Sequence, residues 1–141
     1  MAKRADVLPL LESVPLFSGC SKKDLQTIAK CLEVIEYPEG AAIVTQGEAG
    51  NAFYIVLDGH TVVRRNGRKV GEIGPGEYFG ELALLDPSPR NADVVASAPA
   101  TVARLLVKDF RSLLREVPAM NERLLAGLAH RLRESDRRTV E

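Results

Sequence analysis

The 141-residue sequence is 45% hydrophobic and 27% charged, which is enough apolar side chain for one packed domain and too mixed for a disordered or low-complexity chain. Lys plus Arg and Asp plus Glu each number 19, and the resulting zero formal charge argues against a surface built to replace counterions along nucleic acid. No uncharged apolar run reaches the roughly 18 residues a bilayer span needs. Met1-Ala2-Lys3-Arg4-Ala5-Asp6 lacks an apolar signal core, so the expected setting is cytoplasmic, without membrane insertion.

Along the chain, Leu8-Pro9-Leu10-Leu11 and Val14-Pro15-Leu16-Phe17 form an apolar lead-in. Cys20 and Cys31 fit no metal or redox spacing and read as buried free thiols. Ser21-Lys22-Lys23-Asp24 has the capping-box pattern, and Leu25, Ile28, Ala29 and Leu32 then recur on one helical face. Between Glu33 and Leu106 the pattern changes to short β-rich runs at Ala41–Val44, Phe53–Leu57, Thr61–Arg64, Val70–Ile73, Asp93–Ala96 and Thr101–Leu106. Turn residues separate them, and Asn66-Gly67 is the strongest hairpin signal because both residues tolerate positive φ. Gly74-Pro75-Gly76 also reads as a turn, since its glycines do not fit the dinucleotide fingerprint. Helical spacing returns at Phe110, Leu113, Leu114 and Val117, stops at Pro118, and resumes with Met120, Leu124, Leu128 and Leu132.

The expected architecture is mostly β with flanking α: an antiparallel jelly-roll barrel with N-terminal helices and two C-terminal helices. A single domain over residues 1–141 divides into N-terminal helices (1–32), β-barrel (33–106) and C-terminal hinge and lid helices (107–138). Arg131, Arg133, Arg137 and Arg138 alternate with Glu134 and Asp136, as on a solvated helix face. The leucines of the last helix fit two arrangements, packing on the barrel or joining two chains as a homodimer.

The chemistry concentrates between Phe79 and Ala92. Gly80 lets a ligand approach the backbone, and Glu81-Leu82-Ala83-Leu84-Leu85 is a run of helix formers whose first amides suit an anion. Arg90 follows the stiff loop Asp86-Pro87-Ser88-Pro89, and guanidinium matches two oxygens of one phosphate. Glu81 beside a phosphate is repulsive unless it accepts from a hydroxyl, and a ribose 2′-OH supplies one. An acid for the sugar with one arginine for one diester describes a ribose cyclic phosphate. His60 and His130 have no partner at metal-ligand spacing, and Ser88 has no histidine near it in sequence, so no metal, cofactor or catalytic residue is expected.

Phe79-Gly80-Glu81-Leu82-Ala83-Leu84 and Arg90-Asn91-Ala92-Asp93-Val94 resemble the phosphate-binding cassette of the cyclic nucleotide-binding domain family, as in the catabolite activator protein and the regulatory subunits of cAMP-dependent protein kinase. Gln46-Gly47-Glu48-Ala49-Gly50-Asn51-Ala52-Phe53-Tyr54-Ile55-Val56-Leu57-Asp58-Gly59 is similar to that family's strand, glycine turn and strand. The resemblance implies a cassette over residues 79–96 and a non-enzymatic regulatory domain that binds cAMP, with cGMP as the alternative because Asn91 stands where relatives carry a base-discriminating residue. Arg90 would pair with the exocyclic phosphate oxygens and Glu81 would accept from the 2′-OH. The amides of Leu82 and Ala83 would complete the anion site, with Gly80 giving access and Asn91 and Ala92 closing the other side. The final helices would report occupancy to an effector protein that the sequence does not identify. Two other readings are a scaffold that has lost its ligand and a shortened transcription factor. Few residues follow Arg138, so DNA recognition by a helix-turn-helix is not expected of this chain.

Overall fold

The computed structural model describes the backbone of residues 7–140 and the side chains of that span apart from 131 and 134–140. The readings made for Met1–Asp6, and for Arg131, Glu134, Asp136, Arg137 and Arg138 as a solvated face, lie outside the described residues. Helix α1 spans Leu8–Ser13, a 3-10 turn spans Pro15–Phe17, and α2 spans Lys22–Ala29. The capping box is formed in both directions: Asp24 N–H donates to Ser21 Oγ at 3.1 Å, and Ser21 N–H donates to Asp24 Oδ2 at 3.0 Å.

Eight strands follow: β1 Glu33–Tyr37, β2 Ala42–Val44, β3 Ala52–Asp58, β4 Thr61–Arg65, β5 Arg68–Ile73, β6 Tyr78–Phe79, β7 Asp93–Ala96 and β8 Ala100–Leu106. They form two four-stranded antiparallel sheets in the orders β1-β8-β3-β6 and β2-β7-β4-β5. This is the jelly-roll pairing expected, as two sheets and not as a closed barrel. The edge strands β2 and β6 have three and two residues, too few to bond across from one sheet to the other. At the β4–β5 hairpin Asn66 and Gly67 have φ of 54° and 79°, as the sequence predicts. Strands β1 and β6 were absent from the sequence reading.

Strand β3 is buried on both faces, which sets the position of everything else. Phe53 and Ile55, with Ala103 and Leu105 of β8, pack beneath the helices. Tyr54 and Val56, with Val44, Val94 and Val102, pack in the apolar cluster that the strands make among themselves. The C-terminal helices are α3, Val107–Glu116, and α4, Ala119–Val140, with Pro118 between them. Phe110, Leu113, Met120 and Leu124 are buried with Phe17 and Leu16, whereas Leu125 and Leu132 are exposed. Cys20 and Cys31 carry no disulfide and are half-buried, and burial pushes the Cys20 thiol up to about 11.

Candidate functional site

Two segments distant in sequence meet to build the site. The loop after β2 lies along the chain that follows Pro87. Gly47 N–H donates to the Arg90 carbonyl and Arg90 N–H donates to the Glu48 carbonyl, both at 2.8 Å, while Gly50 N–H donates to the Ser88 carbonyl at 3.0 Å. Ala49 and Pro89 form an antiparallel bridge. A Cβ on Gly50 would sit 2.7 Å from the Ser88 oxygen, so any side chain there would part the segments. Gly47 and Gly50 do more than turn the chain, because this loop holds the backbone of Arg90 on both sides.

The run after Gly80 is shorter than expected. It forms a 3-10 turn, Glu81–Leu84, where the sequence suggested a helix to Leu85. Four residues are too few to nucleate an α-helix, and Pro87 disfavours helical backbone at Asp86. Leu85 and Asp86 both donate to the Leu82 carbonyl, which closes the turn. Ala83 N–H donates back to the Gly80 carbonyl at 3.1 Å. The amides of Glu81 and Leu82 have no partner among the described residues. Of the two backbone donors expected for an anion, the one at Leu82 is therefore open, and the one at Ala83 is engaged in the turn.

Arg90 reaches into this corner. Its Nη2 donates to the Ala52 carbonyl at 2.6 Å, and its guanidinium carbon lies over the Tyr54 ring, 5.8 Å from the centroid. Among the described residues no carboxylate pairs with it. Burial lowers its pKa from the usual arginine value, with Tyr54 opposing the shift, yet guanidinium stays charged at any physiological pH. Gly80 has φ of 81°, and a Cβ there would lie 2.6 Å from Arg90 Nη1. The missing side chain is what allows the guanidinium to lie against the turn.

A cavity of about 370 Å3, within the usual range for small-molecule sites, opens beside these groups. Gly80, Glu81, Leu82, Ala83, Arg90, Asn91 and Ala92, the residues proposed from sequence, all line it. Glu81 is half-buried and makes no ion pair or hydrogen bond among the described residues. Asn91 is exposed, and its carbonyl accepts from Arg65 Nε at 3.2 Å. Ala92 is buried, and the next residue, Asp93, accepts from Gln46 N–H at 2.6 Å.

Phe79, Asp86, Ser88, Pro89 and Val94, which the cassette motif also contains, line it too, whereas no ligand contact was expected of the strand side chains. Val44, Val94 and Val63 are register partners across β2, β7 and β4, so they form one row of branched side chains. Ile73 of β5 continues it beyond Gly71, which sits opposite Val63 with open space where a side chain would be. The row makes an apolar wall on one side of the cavity. In sequence these residues are ordinary branched strand side chains, indistinguishable from core.

The architecture and cassette have counterparts in known proteins. The family model described as the cyclic nucleotide-binding domain matches residues 34–117. A cAMP-dependent protein kinase regulatory subunit from Aspergillus niger is 41% identical over 109 residues, covering 76% of this chain and 26% of that protein. The cyclic AMP receptor protein of Thermus thermophilus is 34% identical over 131 residues, covering 89% of this chain and 61% of that protein. The N-terminal domain of a transcriptional regulator from Streptomyces coelicolor A3(2) superposes with a TM-score of 0.81 at 27% identity, over 89% of this chain and 94% of that one. The chain thus spans about a quarter of the kinase subunit and three-fifths of the receptor. With the match running from β1 to the end of α3 and taking in every cassette residue, the chain belongs to the cyclic nucleotide-binding domain family.

Proposed function

We propose that this domain binds cAMP as a non-catalytic, cytosolic sensor and passes the bound state to an effector through α3 and α4. The observation that carries the reading is a half-buried Arg90 with no carboxylate partner among the described residues, lining one cavity with Leu82, whose amide is open, and with Glu81 at the start of the same turn. A lone phosphodiester offsets the guanidinium, and the adjoining 2′-OH gives Glu81 a donor. The valine and isoleucine wall offers a purine apolar contact and no hydrogen bond. That favours adenine over guanine, whose carbonyl and ring N–H would lose water without replacement, beyond the exocyclic amine that both bases carry.

The route to the C-terminal helices is short. Arg90 is anchored on the Ala52 carbonyl, and the neighbouring Asn51 carbonyl accepts from Val107 N–H, the first residue of α3, at 2.9 Å. Helix α3 also packs directly on the turn Glu81–Leu84. A ligand that tightens the turn therefore bears on α3, and it shifts α4 only by its difference in affinity for the two arrangements.

Calorimetric titration with cAMP, cGMP and 2′-deoxy-cAMP tests the reading. The expected order is cAMP tighter than cGMP, with Glu81→Ala weakening cAMP by about tenfold and 2′-deoxy-cAMP hardly at all. Absence of binding by either ribose cyclic nucleotide would refute the function, and equal losses for the ribose and deoxyribose ligands would refute the role of Glu81.

A further inference from the structure

Arg90 has an unusual support. Charged side chains taken partly out of water are ordinarily held by an opposite charge. Here, among the described residues, the guanidinium has one carbonyl, Ala52, and one ring, Tyr54. Tyr54 is itself fixed. It is buried on β3 and stands in register opposite Phe79, and the two rings stack at 4.9 Å and 14°. Phe79 is followed at once by Gly80, whose bare backbone accommodates Arg90. The ring pair therefore links the guanidinium to the turn on which the ligand would rest.

A second hollow of about 350 Å3 shares Val44 and Arg90 with the first and is also lined by Tyr54, Glu48 and Asn51. It offers Arg90 somewhere else to go. A carboxylate at its edge would attract the guanidinium away from the cassette if nothing held it.

We infer that Tyr54 is a positioning residue for Arg90: its ring takes the place of a carboxylate partner and keeps the cation against the Gly80 turn without neutralising it. The inference rests on the cyclic nucleotide reading above and adds to it the group that orients the phosphate's charge partner. An aromatic face suits the task because it attracts a cation over its centre and brings no negative charge to compete with the ligand. An acid in the same place would hold the guanidinium more firmly and weaken its hold on phosphate.

The test compares the full chain with Tyr54→Phe and Tyr54→Leu by calorimetric titration with cAMP, and follows the Arg90 Nε–H resonance in each ligand-free protein. The phenylalanine variant is expected to bind within about twofold of wild type, and the leucine variant to bind about tenfold more weakly. The Arg90 resonance should show the upfield displacement of a proton over a ring in wild type and Tyr54→Phe, and should lose it in Tyr54→Leu. Tyr54→Met serves the same comparison if the leucine variant does not fold. Equal affinity in the phenylalanine and leucine variants, or equal loss in both, would overturn the inference. A wild-type protein that binds no cyclic nucleotide would sink the functional reading alone. In that event an Arg90 resonance unchanged between wild type and Tyr54→Leu would still overturn the role of Tyr54.

Discussion

At the scale of single residues, Arg90 carries a full charge while half-buried, and among the described residues no carboxylate offsets it. That arrangement costs free energy in the free protein, and an arriving anion relieves it. Gly80 is the residue that makes it possible. An L side chain at φ of 81° is strained by about 1–2 kcal/mol. Its Cβ would also meet Arg90 Nη1 and stand 3.0 Å from the Ala52 carbonyl that anchors the same arginine. Gly80→Ala should therefore lower the urea midpoint by that amount of stability, with an unchanged denaturant slope, and should weaken cAMP as well. A variant with wild-type affinity would mean that Arg90 does not need the turn. Gly80, Glu81 and Arg90 were legible in the sequence because their chemistry lies in one contiguous stretch. The contribution of Tyr54 was not, since its contact with Arg90 exists only once β3 and the cassette are folded together.

At the scale of elements, local signals were reliable where a residue acts on its own neighbours. The capping box at Ser21, the Asn66-Gly67 turn and the break at Pro118 all depend on backbone chemistry within a few positions. Strand β1 escaped because Glu33-Val34-Ile35-Glu36-Tyr37 does not alternate, being an edge strand exposed along much of its length. Strand β6 escaped because it is two residues long and exists only as the partner of Tyr54 and Ile55. The docking of α4 was equally hidden. Arg123 donates from Nε and Nη2 to the two oxygens of the buried Asp24, joining α4 to the capped start of α2. Beside that pair, a Cβ on Gly19 would collide with the Arg123 carbonyl, and one on Gly127 would lie 2.8 Å from Ser18 Oγ.

The hydrogen bond from Arg123, helped by those from Ser21, lowers the Asp24 pKa from its ordinary value of 3.8 despite burial. A carboxylate with a depressed folded pKa stabilises above its unfolded pKa and loses that contribution as pH falls through the folded one. The melting temperature of wild type should thus fall more steeply than that of Asp24→Asn below about pH 4, and the neutral variant should be the less stable of the two near pH 7. Parallel pH profiles would show that the pair contributes nothing to holding α4.

At the scale of the whole molecule, β3 lies between the helical layer and the second sheet. One of its faces packs under the helices, and the other carries Tyr54 beneath Arg90. The cassette turn rests against β3 and α3, and α4 rests on the N-terminal turn Pro15–Phe17. A change at the proposed phosphate site therefore has packed neighbours in α3, and α4 in turn packs on the Pro15–Phe17 turn. All of this bears on function only if Arg90 is the cation that meets the ligand. The deciding measurement is calorimetric titration of cAMP into wild type and Arg90→Ala, with melting curves of both ligand-free proteins as the control for folding. The account predicts that Arg90→Ala melts as a folded domain and loses more than about a hundredfold in affinity, the loss expected when a charged two-point contact disappears. A folded Arg90→Ala protein that binds cAMP as tightly as wild type would contradict it.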